Sequence, residues 1–342
     1  MKHTCFRSHI LIGATRVSLT HMRAVRIHEH GSEDVLQVET VDRPDPGGHE
    51  VLLKVAAAGV NPVDTYFREG SYPPVGLPFT PGVDVAGTVD EVGEYVQRFD
   101  TGDRVFGTGI GNADFQGAYA EFVSVPEDRL VHLPDSVNLT EAGAAGVAAV
   151  TAWVALIDHS ELRPAELCLV HGGSGGVGHA AVQIAAAVSA RVIATAAPEY
   201  HDPLSGLGAD TVLDYDRTDL ADAVRSASGG GVDVVLDHRL DDYLQFNAKV
   251  ATERGRVVGI GNKRPEATLT DLRGARAKDL NVQFMSMFNT PDLREPLRGV
   301  AHLMDIGALS VEIADTFELS AADEAHRAVM ENSYLGKLVV EP

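Results

Sequence analysis

The sequence predicts a two-domain α/β protein, a doubly wound parallel sheet combined with a smaller barrel-like β domain. Three observations carry this. The 342 residues exceed what one hydrophobic core usually serves. Near Thr140 the pattern changes from short strands punctuated by glycine to alternating helix and strand. A glycine-rich turn in the second half stands between a strand and a helix.

Met22–Ile27 reads as the first strand, and Pro44–Gly48 as the break before a second strand over Val51–Val55. Gly82–Val89, Asp103–Phe106 and Tyr119–Val123 read as further short strands, the last by its period-2 alternation. Glu141–Leu156 is Ala-rich and helical. Then follow a strand over Glu166–His171, a helix over Gly176–Ser189 and a strand over Arg191–Ala196. Val232–Leu236 and Arg256–Ile260 are apolar enough for buried parallel strands. A helix near Leu293–Ile306 and a strand over Leu338–Val340 close the chain. The first 21 residues carry three cations, no acid and no clear period. They are expected to be a frayed or mis-started terminus rather than a targeting signal.

Acidic residues number 49 against 28 basic ones, for a net charge of -21, and only six of the cations are lysines. A Lys-poor, strongly acidic surface fits a protein that works in high salt, where the screening length falls to about 3 Å at 1 M. The same balance argues against nucleic acid as a partner, because no basic stripe exists to release counterions. No apolar run of about 18 residues occurs, so no membrane span is expected. Cys5 and Cys168 are the only cysteines. That count rules out a disulfide framework and suits a reducing cytoplasm.

The sharpest local signal is Leu169–Gly178, LVHGGSGGVG, with GxGxxG at Gly173, Gly175 and Gly178. One glycine makes the tight turn, the next admits a pyrophosphate, and the third lets helix pack on strand. The helix N-terminus then offers free N–H groups and a positive dipole end. A site for NAD usually carries an acid about 20 residues on, at the end of the next strand, to hold the ribose 2′-hydroxyl. Here that strand ends Ala194-Thr195-Ala196-Ala197. NADPH is therefore expected over NADH, although only the neutral or weakly basic Tyr200, His201 and Tyr215 stand nearby as candidates.

From Met22 to Pro342 the chain resembles the zeta-crystallin-type quinone oxidoreductases of the medium-chain dehydrogenase/reductase superfamily. The resemblance is carried by Met22–Arg26, Ala58–Tyr66 (AGVNPVDTY), Pro81–Gly87 (PGVDVAG), Val170–Gly178 and Gly336–Leu338. It implies a GroES-like catalytic barrel interrupted by a Rossmann domain. The division would be an extension over 1–21, the catalytic domain over 22–149, the nucleotide domain over 150–285, and a return to the catalytic domain over 286–342. It also implies a homodimer joined through a Rossmann sheet edge.

The resemblance further implies site residues. Asn61 and Tyr66 would lie at the nicotinamide side, as the candidate catalytic pair. Thr151 would lie near the phosphates, and Ser174, Gly175, Gly176 and Val177 in the pyrophosphate loop. Ala197 and Tyr215 would flank the adenosine ribose. Ile260, Gly261 and Asn262, with Met285, Ser286 and Met287, would line the nicotinamide ribose. Zinc relatives carry a Cys where Asn61 stands and a His-Glu pair where Val83-Asp84 stands, so no zinc is expected. Asp64 is expected to be structural.

Without a Lewis acid, reduction of an electron-poor acceptor is the natural chemistry. Hydride transfer from NADPH to a quinone is the first reading. Reduction of an enone or alkenal C=C bond is the alternative, and a non-catalytic NADPH-binding role the third. Three segments depart from the family pattern: Pro198–Pro203, which lacks a usual lysine; Arg239–Asp242, which replaces a Gly-containing turn; and Phe284, where a small residue is usual.

Overall fold

The computed structural model describes residues 20–72, 76–112 and 114–342. The expected N-terminal extension lies outside the described residues except for Thr20 and His21; His21 opens the first ladder, and Thr20 adds one hydrogen bond beyond its end. The Arg43 N–H donates to the Thr20 carbonyl, and His21 pairs with Asp42.

Strands β1 (His21–Arg26) and β2 (Gln37–Asp42) form an antiparallel pair. The barrel-like sheet is built from β3 (Glu50–Val60), β4 (Asp84–Val92), β5 (Arg104–Thr108), β6 (Phe122–Pro126) and β7 (Leu130–His132). Helix α1 (Pro62–Glu69) leaves the end of β3, and α2 (Leu139–Trp153) leads out of the sheet. The parallel sheet comprises β8 (Leu167–Val170), β9 (Arg191–Ala196), β10 (Thr211–Asp214), β11 (Val232–Asp237), β12 (Ala251–Gly259) and β13 (Asn281–Phe284). Its connecting helices are α3 (Gly176–Ala187), α4 (His201–Gly206), α5 (Leu220–Ser228), α6 (Leu240–Val250) and α7 (Leu272–Ala277). After it come α8 (Arg294–Asp305), β14 (Ile313–Glu318), α9 (Ala322–Glu331) and β15 (Lys337–Glu341).

The parallel strands lie in the order β10-β9-β8-β11-β12-β13, so the direction of winding reverses between β8 and β11. This is the Rossmann arrangement, whose ligand crevice opens at that switch point, outside the strand carboxyl ends. β14 and β15 return to the first sheet, which runs β14-β15-β3-β4-β5-β7 with β6 also on β3. The last strand of the chain thus lies directly on the strand that delivers Asn61. β15 runs antiparallel to β3 with Leu338 opposite Val60 and Val339 opposite Gly59.

Helix α2 and its continuation to His159 are apolar and long enough to cross a membrane by composition, and the segment is mostly buried in the protein interior. It is the core helix between the two sheets. Its Ala and Gly residues let it approach closely: a Cβ on Gly143 would lie 2.6 Å from the Ala57 carbonyl oxygen. Tyr119–Val123 differs from the expected single strand, because regular pairing begins only at Phe122. The Ala118 and Tyr119 N–H groups donate to the carbonyls of Gly82 and Pro81, and the Tyr119 carbonyl accepts from Val25. Three separate partners break up what alternation alone reads as one ladder.

Buried His326 joins α9 to α1: its Nδ1 accepts from Arg68 Nη1 at 3.2 Å, and its ring meets Tyr119 edge-on at 5.6 Å. Burial, reinforced by the Arg68 charge, lowers its pKa from 6.5 to about 3. A depressed histidine pKa contributes stability that is present at neutral pH and lost as pH falls below 6.5, when only the unfolded chain takes up the proton. The H326Q variant keeps an acceptor for Arg68. Its stability relative to the parent is expected to improve by about 2–3 kcal/mol between neutral pH and about pH 4.5. Urea unfolding at both pH values checks this, and a pH-independent difference would contradict it.

Candidate active site

The glycine-rich loop follows β8 directly. Gly172 has φ 65°, the left-handed region that glycine takes without strain. The Gly173 N–H donates to the Thr195 carbonyl at 2.8 Å, and Gly175 N–H to the Gly172 carbonyl at 3.0 Å. A Cβ on Gly178 would lie 2.0 Å from the Gly172 carbonyl oxygen, so only glycine closes this turn. A Cβ on Gly175 would meet only that same oxygen, at 3.5 Å, leaving one side of the loop open. The first N–H groups of α3, at Gly176, Val177 and Gly178, have no intrahelical acceptor. No acidic residue stands in this first turn to oppose the dipole. The open face, free N–H groups and positive end suit a pyrophosphate.

The other expected cofactor residues fall at the carboxyl ends of the parallel strands. Ala197 follows β9, Tyr215 follows β10, Ile260, Gly261 and Asn262 follow β12, and Met285, Ser286 and Met287 follow β13. Thr151 is buried on α2, which packs against α3. Tyr200 and His201 lie beyond β9. His201 Nε2 bonds the Ala196 carbonyl at 3.2 Å, and the Tyr200 hydroxyl contacts Ser333 Oγ at 3.3 Å.

Sequence reasoning missed the residue after β11. His238 lies in the crevice beside the loop: a Cβ on Gly172 would come 2.5 Å from its Cε1, and a Cβ on Gly261 2.7 Å from its carbonyl oxygen. No motif marks it; its signal is the strand Val232–Leu236, whose carboxyl end must open at the switch point. Beneath the loop, His171 Nε2 bonds Asn247 Oδ1 at 2.9 Å, and Asn247 Nδ2 donates to Asp237 Oδ2 at 2.6 Å. Because Asn247 presents its oxygen, His171 carries its proton on Nε2. Burial lowers the His171 pKa to about 4 and keeps the ring neutral. The unusual Arg239–Asp242 segment anchors the turn after β12. Asp241 accepts the N–H groups of Lys263 and Arg264 at 3.0 and 3.2 Å, and the Arg264 guanidinium pairs with Asp241 and Asp242. Phe284 ends the edge strand β13 and is 77% exposed.

Asn61 caps α1, with Pro62 in the first helical position and Asp64 accepting the Asn61 N–H at 2.8 Å. Asp64 also accepts the Val83 N–H at 3.0 Å, which fixes α1 to the segment before β4. Desolvation, with the Asp84 charge next, raises the Asp64 carboxyl to about 7. The Asn61 amide points inward. Its Nδ2 donates to Asp84 Oδ2 at 2.8 Å and the Gly59 carbonyl at 3.3 Å, and its Oδ1 accepts from Lys337 Nζ at 2.5 Å. Asp84 also accepts from Thr108 Oγ1 and from the Val147 N–H, at 2.6 and 2.7 Å. Burial pushes the Asp84 carboxyl up, partly offset by Lys337 and these hydrogen bonds. Burial likewise lowers the Lys337 ammonium. An ammonium, an amide and a carboxylate thus form one buried chain.

Tyr66, half-buried on α1, stacks on Tyr72 with ring centroids 6.0 Å apart, and Tyr72 meets Phe67 edge-on at 5.4 Å. Burial, then the charges of Glu69 and Tyr72, push the Tyr66 hydroxyl up, so it remains a hydrogen-bond donor at neutral pH. The residues at the position of a catalytic zinc do not fit the metal. Val83 has no donor atom, both Asp84 oxygens accept protein hydrogens, and the Asn61 oxygen already faces an ammonium. Among the described residues no group of three or more His, Cys, Asp or Glu side chains could hold a metal.

Residues 47–135 match the alcohol dehydrogenase GroES-like domain, and residues 207–340 match a family model described as zinc-binding dehydrogenase. The quinone oxidoreductase of Mus musculus is 34% identical over 330 residues, which span 93% of this chain and 97% of that protein. The structure of Escherichia coli quinone oxidoreductase complexed with NADPH superposes with a TM-score of 0.83 at 28% identity, covering 94% of this chain and all of the other. A structure described as an NAD-dependent alcohol dehydrogenase superposes with a TM-score of 0.87 at 30% identity, covering 94% of this chain and 100% of that one. Sheet order, loop chemistry and full-length similarity together make this chain a member of the quinone oxidoreductase family of the medium-chain dehydrogenase/reductase superfamily.

Proposed function

We propose that this protein catalyses metal-independent hydride transfer from NADPH to a quinone. The observation that carries the reading is the Lys337–Asn61–Asp84 chain at the metal position, beside an intact nucleotide loop. NADPH supplies the hydride, and the quinone takes it up with one proton to become a hydroquinone. The protein's part is binding and orientation. The α3 N-terminus and loop N–H groups hold the pyrophosphate, and Asn61, fixed between Lys337 and Asp84, serves as the positioning residue on the nicotinamide side. Tyr66 donates a hydrogen bond to the acceptor oxygen, where negative charge develops. The absence of an acid at Ala196-Ala197 supports NADPH over NADH. A homodimer through the free edge of β13, with Phe284 at the interface, and a requirement for high salt complete the reading.

The test is nicotinamide oxidation in about 2 M KCl, a salt level at which surface charge is screened, with quinone and enone acceptors and either cofactor. Quinone turnover with NADPH that survives a chelator supports the proposal. Turnover of enones alone would replace the acceptor, and a preference for NADH would replace the cofactor. The Y66F variant is expected to lose roughly tenfold in kcat with unchanged NADPH affinity, the size of one hydrogen bond to a developing charge. Light scattering on the same sample reads the oligomeric state, and a monomer would refute the dimer.

A further inference from the structure

We propose that Lys337 is a positioning residue that couples the nucleotide loop to the Asn61 amide, so that pyrophosphate binding at one end sets the geometry at the other. The inference rests on the NADPH reading of the site. Gly336, with φ 88°, donates its N–H to the Ser174 carbonyl at 2.9 Å and so ties the start of β15 to the loop. A Cβ on Gly336 would lie 2.1 Å from the Glu312 carbonyl oxygen, so no larger residue makes this approach. The stem of Lys337 then runs along the loop: a Cβ on Gly176 would lie 2.8 Å from Lys337 Cδ. The antiparallel register of β15 on β3 places Lys337 next to Asn61, where Nζ donates to the Val60 carbonyl at 2.7 Å and to Asn61 Oδ1 at 2.5 Å. One side chain therefore touches both the glycine-rich loop and Asn61, the residue assigned to the nicotinamide side in the proposed function.

Two charges lock the Asn61 rotamer. Flipping the amide would point its NH₂ at the ammonium and its oxygen at the Asp84 carboxylate, reversing two favourable contacts at once. Neither charge alone excludes the flip as strongly, and Lys337 is the one that also contacts the loop. A merely structural lysine would balance the Asp84 charge and nothing more.

The variants K337M and D84N/K337M separate the two roles. Both are measured for NADPH dissociation constant by cofactor fluorescence, for kcat with a quinone, and for thermal midpoint. K337M is expected to bind NADPH roughly tenfold more weakly and to turn over roughly tenfold more slowly, as when one charge-assisted hydrogen bond is lost. D84N/K337M removes both charges together, so it regains most of the thermal midpoint while affinity and kcat stay low. Recovery of parental affinity and kcat in the double variant would overturn the proposal, as would a K337M protein with parental values. The parent protein gives a second measurement that does not depend on variant folding. Hydrogen exchange at Leu338–Val340 is expected to slow when NADPH binds, and unchanged exchange would contradict the coupling. A parent protein that binds NADPH but reduces no quinone would refute the acceptor and leave affinity and exchange to decide the role of Lys337. One that binds no nicotinamide nucleotide would refute both readings.

Discussion

Replacing Asp84 with alanine is expected to cost about 3–5 kcal/mol of folding stability, the usual consequence of stranding one member of a buried ion pair. Three donors each lose an acceptor at once: Asn61 Nδ2, Thr108 Oγ1 and the Val147 N–H. The Lys337 ammonium, buried a single amide away, loses the stronger of its two carboxyl counter-charges and keeps only Asp64. Water cannot repair this easily, because Gly59 and Gly146 press on the carboxylate; a Cβ on Gly146 would lie 2.2 Å from Asp84 Oδ1. Urea unfolding of D84A at neutral pH measures the loss. A change below about 1 kcal/mol, the range of an exposed ion pair, would mean that the chain Lys337–Asn61–Asp84 is not the buried unit described above.

The nucleotide loop should respond to methyl groups in two distinct ways. In G178A the new methyl meets the Gly172 carbonyl oxygen at 2.0 Å, and backbone cannot swing aside as a flexible side chain can. If the free loop relaxes away from this clash, it must regain the crowded geometry to hold the pyrophosphate; an overpacking cost of about 3 kcal/mol recovered in that way would lower NADPH affinity on the order of 100-fold. The variant should also be less stable, since the same turn joins β8 to α3. In G175A the methyl has room, touching only the Gly172 oxygen at 3.5 Å. That variant should keep its thermal midpoint yet bind NADPH less tightly, because the methyl projects into the open side where the pyrophosphate would sit. Calorimetric titration and thermal unfolding of the pair check this. Equal affinity in G175A and the parent would remove the pyrophosphate from this face of the loop.

Part of this architecture is legible in local sequence. LVHGGSGGVG announced its place between strand and helix, because glycine spacing and the flanking apolar run are local properties. The apolar runs Val232–Leu236 and Arg256–Ile260 announced buried parallel strands for the same reason. Alternation over Tyr119–Val123 predicts one strand, because it says nothing about how many partners share the segment. His238 was missed because its place depends on which strand neighbours β8, and that is decided by the winding of the whole sheet.

The sequence alone determined the α/β class with its parallel sheet and the glycine-rich turn between strand and helix, since each depends on residue types over short spans. The tertiary structure alone decided that Lys337, 276 residues from Asn61 along the chain, donates to its amide. It also decided that Asp84 carries the opposing charge across the next strand. The physical reason is that antiparallel register and burial bring distant strands together and remove water between them, and no local pattern of side chains encodes either.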